Sequence, residues 1–151
     1  IKLMSKEIFN LMKINYFYYL FSPIFMLMLI MMMWMIYPFL SNLISLDLGI
    51  IYLILCLSMS SYGLLMTGWS SNSMYSMLGS IRSLAQVISY EVNLGLIFLI
   101  VIILIESFSF KMLNIMQINL WMLVYLWPLL ILFLMSLMAE LNRSPFDFSE
   151  G

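Results

Sequence analysis

The sequence predicts an all-α, polytopic membrane protein, and three observations support this fold class. Apolar residues make up 65% of the 151 residues and charged residues only 9%, whereas soluble domains have about 45–50% and about 25%. Four apolar stretches are each long enough to cross a bilayer as a helix, which takes about 20 residues. No repeat or low-complexity tract interrupts them. We therefore expect a single membrane domain over residues 1–151 with about four transmembrane helices.

The stretch before the first span interleaves charged and apolar residues. Lys2, Lys6, Glu7 and Lys13 alternate with apolar side chains, a pattern that predicts an amphipathic segment lying at the membrane surface.

The apolar runs predict four transmembrane helices. Pro23 and Pro38 fall near the ends of the first span, where proline costs least, and Pro128 falls inside the fourth. The Gly, Ser and Asn residues of "TGWSSNSMYSMLGS" predict a turn between the second and third spans. "ESFSFKMLNIMQIN" reads as a slightly amphipathic connection between the third and fourth. The predicted spans are 18–39, 47–69, 78–105 and 120–139.

The basic residues predict the orientation of these spans. We call the side of the N-terminus side A and the opposite side B. Five basic residues fall on side A and one, Lys111, on side B, which favours side A as the matrix or cytoplasmic face. The five are Lys2, Lys6, Lys13, Arg82 and Arg143.

The composition also limits the function. The formal net charge is −1 with no histidine, so there is no basic surface for nucleic acid. Cys56 is the single cysteine, which excludes an internal disulfide and a cysteine cluster site. Because histidine is absent, we expect no metal site and no cofactor on this chain. Any redox centre would lie on partner chains, and the surroundings would be lipid and other membrane proteins.

Glu91 is the most informative charge, since it lies about 20 Å into the predicted third helix. An ionised side chain at the centre of a bilayer costs about 2.5–3.5 kcal/mol. Such a carboxyl must face protein or water, or stay protonated. Proton transfer is therefore one interpretation, and a permanently neutral glutamate bonded to a neighbouring helix is the other.

The rest of the third span supports an interior position. Arg82, Gln86, Tyr90 and Asn93 share one polar face at helical spacing. Gly95 is expected to allow close helix approach. Small-residue packing explains the Ser and Gly residues of the second span at least as well as a ligand site does.

The tail "AELNRSPFDFSEG" is the densest charged stretch. Glu140 and Arg143, three residues apart, could simply pair. Together with Asp147, Glu150 and the two phenylalanines, they could also line the mouth of a site for an amphipathic ring. Glu140, Glu91 and Glu106 fall at successive depths, which suggests a sparse ladder of acids for proton transfer.

Three stretches resemble one known family. "IKLMSKE", "GSIRSLAQVISYEV" and "AELNRSPFDFSEG" are similar, in order and spacing, to the subunit 1 family of the proton-pumping NADH:ubiquinone oxidoreductase, respiratory complex I. The resemblance implies a membrane subunit that helps to form the ubiquinone cavity and the start of a buried acid path. It implies a proton-path role for Glu91 and Glu140. The residues that it implies at the quinone cavity are Arg82, Tyr90, Arg143, Asp147 and Glu150.

The resemblance also implies the partners and the location. Ubiquinone would be the substrate, and NADH, FMN and iron–sulfur clusters would bind to partner subunits of the membrane and hydrophilic arms. Seventeen Met beside only two Ala, Ala85 and Ala139, favours an AT-rich mitochondrial genome. We thus expect a multi-pass protein of the mitochondrial inner membrane, with the N-terminal segment and the C-terminal tail on the matrix side.

The chain is expected to be a fragment of a larger subunit, since the resemblance covers only part of the family's helices.

Two other function classes remain open from the residues alone. A proton or ion channel or transporter without redox coupling would use the same acids. A purely structural anchor would not need them.

Overall fold

A computed structural model describes residues 1–2, 5–6, 12–37, 46–118 and 121–148 of the chain. Helices account for all the regular secondary structure in these ranges, which confirms the all-α prediction. In chain order they are α1 (Tyr16–Trp34), α2 (Gly49–Ser70), α3 (Met74–Ile105), α4 (Phe110–Gln117), α5 (Met122–Tyr125) and α6 (Trp127–Glu140).

Helices α1, α2 and α3 are, among the described residues, the three that are long and apolar enough to cross a membrane. Successive helices run in opposite directions. The backbone N–H of Asn15, before α1, donates to Ser70 O at the end of α2 at 3.0 Å, and the Ile50 N–H donates to Phe108 O at 3.2 Å. The start of α1, the end of α2 and the start of α3 therefore share side A, as predicted.

Two glycines of α2 let its neighbours approach closely. A Cβ at Gly63 would overlap the Met26 side chain of α1, and a Cβ at Gly68 would overlap the Ser80 side chain of α3. Close backbone approach by small residues is how membrane helices gain van der Waals contact. The expectation for Gly95 is wrong, because nothing lies within 4 Å of a Cβ placed there.

The Ser and Thr hydroxyl groups of α2 are satisfied within their own helix. Each bonds to the carbonyl oxygen three residues earlier, as Ser60 does to Leu57 O at 2.7 Å and Thr67 to Leu64 O at 2.7 Å. This back-bonding leaves the hydroxyl protons committed. The structure thus favours the packing interpretation of this polar run over a ligand site.

The end of α1 and the start of α3 differ most from the predicted spans. Helix α1 ends at Trp34, before the predicted residue 39, and Met35, Ile36 and Tyr37 donate instead to carbonyls three residues back. A tightened last turn is typical of a helix end, and proline at position 38 disfavours helix in the residue before it. Helix α3 begins at Met74, earlier than predicted, because only Asn72, at φ 53°, and the extended Ser73 leave the helical conformation.

The predicted fourth span, 120–139, is not one helix where the structure describes it. Helices α5 and α6 are separated at Leu126, which has φ −109° and ψ 40°. Pro128 occupies the first turn of α6, where its missing N–H costs nothing. In a continuous helix its ring would clash with the Val124 carbonyl. This proline therefore starts a helix rather than kinking one.

For two further segments, the connection before the fourth span and the N-terminal segment, the sequence predicted no helix bounds. The connection 106–119 contains α4, of 8 residues. The amphipathic N-terminal segment falls mostly outside the described residues. On side B, α3, α4 and the α5–α6 junction surround an apolar cavity of about 260 Å³, whose walls include Ile97, Leu113, Leu126 and Leu130.

Candidate functional site

The predicted site residues lie where α3 packs against α6. Val87 and Leu94 of α3 are buried, as is Ala139 of α6. Glu91 lies four residues after Val87 and three before Leu94, so the three share one helical face. Glu91 is half-buried on that face. It faces protein, as the sequence predicted for a functional acid.

Helix α6 ends in a Schellman motif that turns the chain back towards α3. The Arg143 N–H donates to Met138 O at 3.1 Å and the Asn142 N–H to Ala139 O at 3.3 Å. Asn142 has φ 47°, the left-handed conformation that this motif requires and that asparagine tolerates better than most residues. Glu140 is therefore held at the last turn of α6.

Gln86 joins the tail to α3. Its side-chain Nε2 donates to Ala139 O at 3.2 Å and to Phe146 O at 2.9 Å. These acceptors lie on both sides of the turn at Asn142, so one carboxamide fixes the end of α6 and the segment after it. We call residues Leu141–Phe148 the docked segment.

An aromatic contact reinforces this attachment. The rings of Tyr90 and Phe146 are edge to face, with centroids 5.3 Å apart and planes at 66°. Tyr90 lies one helical turn after Gln86, so both residues of α3 contact the docked segment. The polar face predicted for α3 is thus partly a docking face for the tail.

The docked segment also sets the level of Glu140. Gln86, which contacts the end of α6, lies about 18 Å from the start of α3. Helix α3 has 32 residues and is about 48 Å long. This length exceeds a hydrocarbon core of about 30 Å by about 18 Å. Helix α6, with Glu140 at its end, therefore stops about 18 Å short of the start of α3.

Glu140 is the titratable group whose environment is best defined. Burial, and to a smaller extent the negative charge of Glu91, raise the pKa of Glu140 from 4.5 to about 7. The two carboxyl groups therefore lie within Coulombic range of each other. We call Glu91 and Glu140 the acid pair. A carboxyl with a pKa near 7 can both hold and release a proton at neutral pH.

The predicted ladder of acids stays a prediction, and the structure adds one electrostatic interaction to it. Glu140 and Glu91 were expected at separate depths, and the charge of Glu91 acts on Glu140. Glu106 is exposed at the other end of α3, about 22 Å from Glu91 along the helix. The gap between Glu91 and Glu106 is as wide as predicted.

The remaining predicted site residues are distributed around the acid pair. Arg82 and Arg143 are exposed, whereas Asp147 is half-buried next to Phe146. Tyr90 belongs to the docking face. Glu150 lies outside the described residues.

Two residues of the site were not predicted in their observed roles. Gln86 was seen as one member of a polar face and not as a donor to two carbonyls. Asn142 was not singled out, although Asn just after an apolar helix and three residues before Pro145 is a helix C-terminus signal. This signal predicts a helix end at Asn142, and with it the turn that returns the tail towards α3.

The described part of the chain has no group of three Cys, Asp or Glu residues that could hold a metal ion. The chemistry that its residues offer at this site is acid–base chemistry by the two carboxyl groups.

The sequence is similar to known proteins along its whole length. A family model described as NADH dehydrogenase matches residues 1–151. The chain is 48% identical to NADH-ubiquinone oxidoreductase chain 1 of Locusta migratoria, 42% to that of Anopheles gambiae and 43% to that of Aedes aegypti, in each case over 100% of this chain and 48% of the relative. The chain spans about half the length of the curated relatives it matches.

Proposed function

Because the chain belongs to the NADH dehydrogenase family, we propose that it is part of a membrane subunit of the proton-pumping NADH:ubiquinone oxidoreductase in the mitochondrial inner membrane. Its relatives are named for electron transfer from NADH to ubiquinone. With one buried cysteine and no histidine, this chain would contribute protonatable groups and a substrate surface, while NADH, FMN and iron–sulfur clusters bind to partner subunits.

The acid pair is the observation that carries this proposal. The proposed step is proton exchange between these two carboxyl groups, and the negative charge of Glu91 favours the protonated form of Glu140. The raised pKa of Glu140 places this exchange near neutral pH. A proton that arrives at Glu140 from side A can therefore move to Glu91, at a deeper level of the membrane.

The docked segment supplies a way to couple this exchange to a reaction at the membrane surface. Asp147 follows Phe146, which bonds to Gln86 through its carbonyl. A change of charge near Asp147, such as reduction of a bound quinone and uptake of its protons, would alter the electrostatic potential at Glu140. Its proton affinity would follow.

Ubiquinone is the proposed substrate on this side of the chain. A quinone headgroup has an apolar ring with polar oxygens, and Tyr90 with Phe146 offers aromatic edges beside the charged groups of the tail. Arg82 and Arg143 are exposed and available to a polar headgroup. We propose that these residues, with Asp147 and Glu150, border the quinone cavity of the complete subunit.

A double-mutant cycle tests the proton path. Glu91→Gln, Glu140→Gln and the double variant are made in the full-length subunit, and quinone-linked turnover and proton translocation are measured in the assembled complex. If the acids act as one unit, the double variant loses no more activity than the more damaged single variant. Unchanged proton-to-electron coupling in all three variants would remove the acid pair from the mechanism.

Photolabelling tests the substrate assignment. A photoreactive ubiquinone analogue should label the docked segment in the intact complex, and an excess of ubiquinone should prevent the labelling. Labelling elsewhere only, or labelling that ubiquinone does not prevent, would contradict the quinone role. Ion flux through the subunit without redox partners would instead support the channel or transporter class.

A further inference from the structure

Gln86 has an oxygen atom that the contacts described above leave without a partner. The side chain is 7% exposed, and its Oε1 is buried without a hydrogen-bond donor. Its orientation is fixed by chemistry, because both partners of Nε2 are carbonyl oxygens and a reversed amide would place oxygen against oxygen. Oε1 is therefore a true acceptor without a partner, which is costly in a protein interior.

A second acceptor of the same kind belongs to Asn142. Its Oδ1 is also buried without a partner in the part of the chain that the structure describes. Gln86 Nε2 and the Asn142 backbone N–H both donate to Ala139 O, at 3.2 and 3.3 Å, so the two residues meet at one oxygen atom. Glu140 lies between Ala139 and Asn142 in the chain. Two buried acceptors on residues that share one partner call for a small hydrogen-bond donor.

We propose that Gln86 is the positioning residue of the acid pair and that its Oε1 binds, together with Asn142 Oδ1, one ordered water molecule beside Glu140. Such a water can bridge two acceptors up to about 5.6 Å apart. Both of its hydrogens then point at amide oxygens, so only its lone pairs remain for other partners. It accepts a hydrogen bond from the protonated form of Glu140 and cannot donate one to the carboxylate.

The bound water therefore favours the neutral form of Glu140, and its loss favours the charged form. The other charged or titratable groups on the elements packed against the end of α6 that carries Glu140 are Tyr75, Arg82, Tyr90 and Glu91 on α3 and Arg143 and Asp147 in the docked segment. This inference rests on the proposed proton-path role of Glu140 for its biological meaning, but the water site can be measured without any turnover.

Asn142→Gly tests the water site with the backbone preserved. Glycine keeps the left-handed conformation at the end of α6 and removes one acceptor. In the full-length chain within its assembled complex, infrared difference spectra, with Glu140→Gln to assign the band, follow the carboxyl C=O stretch of Glu140 against pH. We expect the midpoint to fall by about one pH unit.

Asn72→Gly is the matched control. Asn72 has φ 53° after α2 and is exposed, so the same change there removes no buried acceptor and should leave the midpoint in place. A midpoint that is unchanged or raised in Asn142→Gly would overturn the water site.

Gln86→Leu tests the positioning role separately. It removes both donated hydrogen bonds, and amide exchange in the docked segment should become about tenfold faster, while exchange around Asn72 stays the same. Unchanged exchange in the docked segment would overturn the positioning role. If the midpoint and exchange results hold while proton translocation is normal in Glu140→Gln, the proposed function fails and this inference stands.

Discussion

The two halves of α3 have the same helical backbone but are held in different ways. In the half from Met74 to Glu91, Gln86 and Tyr90 contact the docked segment and Glu91 interacts with Glu140. In the half from Val92 to Ile105, contacts are apolar, such as the Phe98–Phe133 pair, and one side borders an open cavity. Polar groups are concentrated where another segment supplies partners. The first half is specified by hydrogen bonds and charge, and the second by packing.

The largest expected difference between the halves concerns their acids. Glu91→Gln should lower quinone-linked turnover of the complex by about 100-fold, a typical effect of removing a proton-transfer group. Glu106→Gln, at the exposed end of the same helix, should change it less than about twofold, as expected for an exposed surface group. Turnover and proton translocation in membrane vesicles measure both. Equal losses would restore the ladder of acids and contradict the acid pair.

The glycines make a second comparison. Gly68→Ala places a methyl group on Ser80 and should lower the free energy of unfolding by about 1–3 kcal/mol, as overpacking does. Gly95→Ala meets open space and should raise it by about 0.5–1 kcal/mol through helix propensity. Thermal unfolding of the full-length chain in detergent measures the difference. A destabilising Gly95→Ala would mean that another segment covers that face.

The pH dependence of stability sharpens the comparison at Glu140. Its pKa is raised from 4.5 to about 7 in the folded chain, so the folded state favours the neutral form. This stabilisation is fully present below pH 4.5 and is lost as the pH rises through 7. In Glu140→Gln the apparent Tm should vary less over this range than in the unmodified chain. Glu106→Gln serves as the control and should retain the dependence.

The aromatic pairs give the smallest effect. Tyr90→Leu and Phe98→Leu each remove an edge-to-face contact, which contributes about 0.5–1.5 kcal/mol beyond buried area. The losses of stability should be similar, but only Tyr90→Leu should accelerate amide exchange in the docked segment. Tyr90→Phe keeps the ring and should restore slow exchange. Faster exchange in Phe98→Leu as well would show that the halves are not independent.

Much of the fold followed from the sequence, since long apolar runs must form helices when no water is present to bond the backbone. The apolar runs predicted α2 to within two residues at its start and one at its end, and they predicted the end of α3 at Ile105. The predicted continuous fourth span was wrong at Leu126, because the effect of Pro128 depends on whether the chain continues or restarts its helix there.

The sequence by itself determined that this is a helical membrane protein. It also predicted that Glu91 faces protein or water, or stays protonated, and that the charged tail carries site residues. These conclusions rest on the free energy of moving residues between water and hydrocarbon, which depends on residue type and order alone. Only the tertiary structure decided that Gln86 holds the tail on α3 and that the end of α6 docks beside it. Those contacts join residues about 50 to 60 positions apart, and their formation depends on where α6 stops along α3 and how its last turn bends.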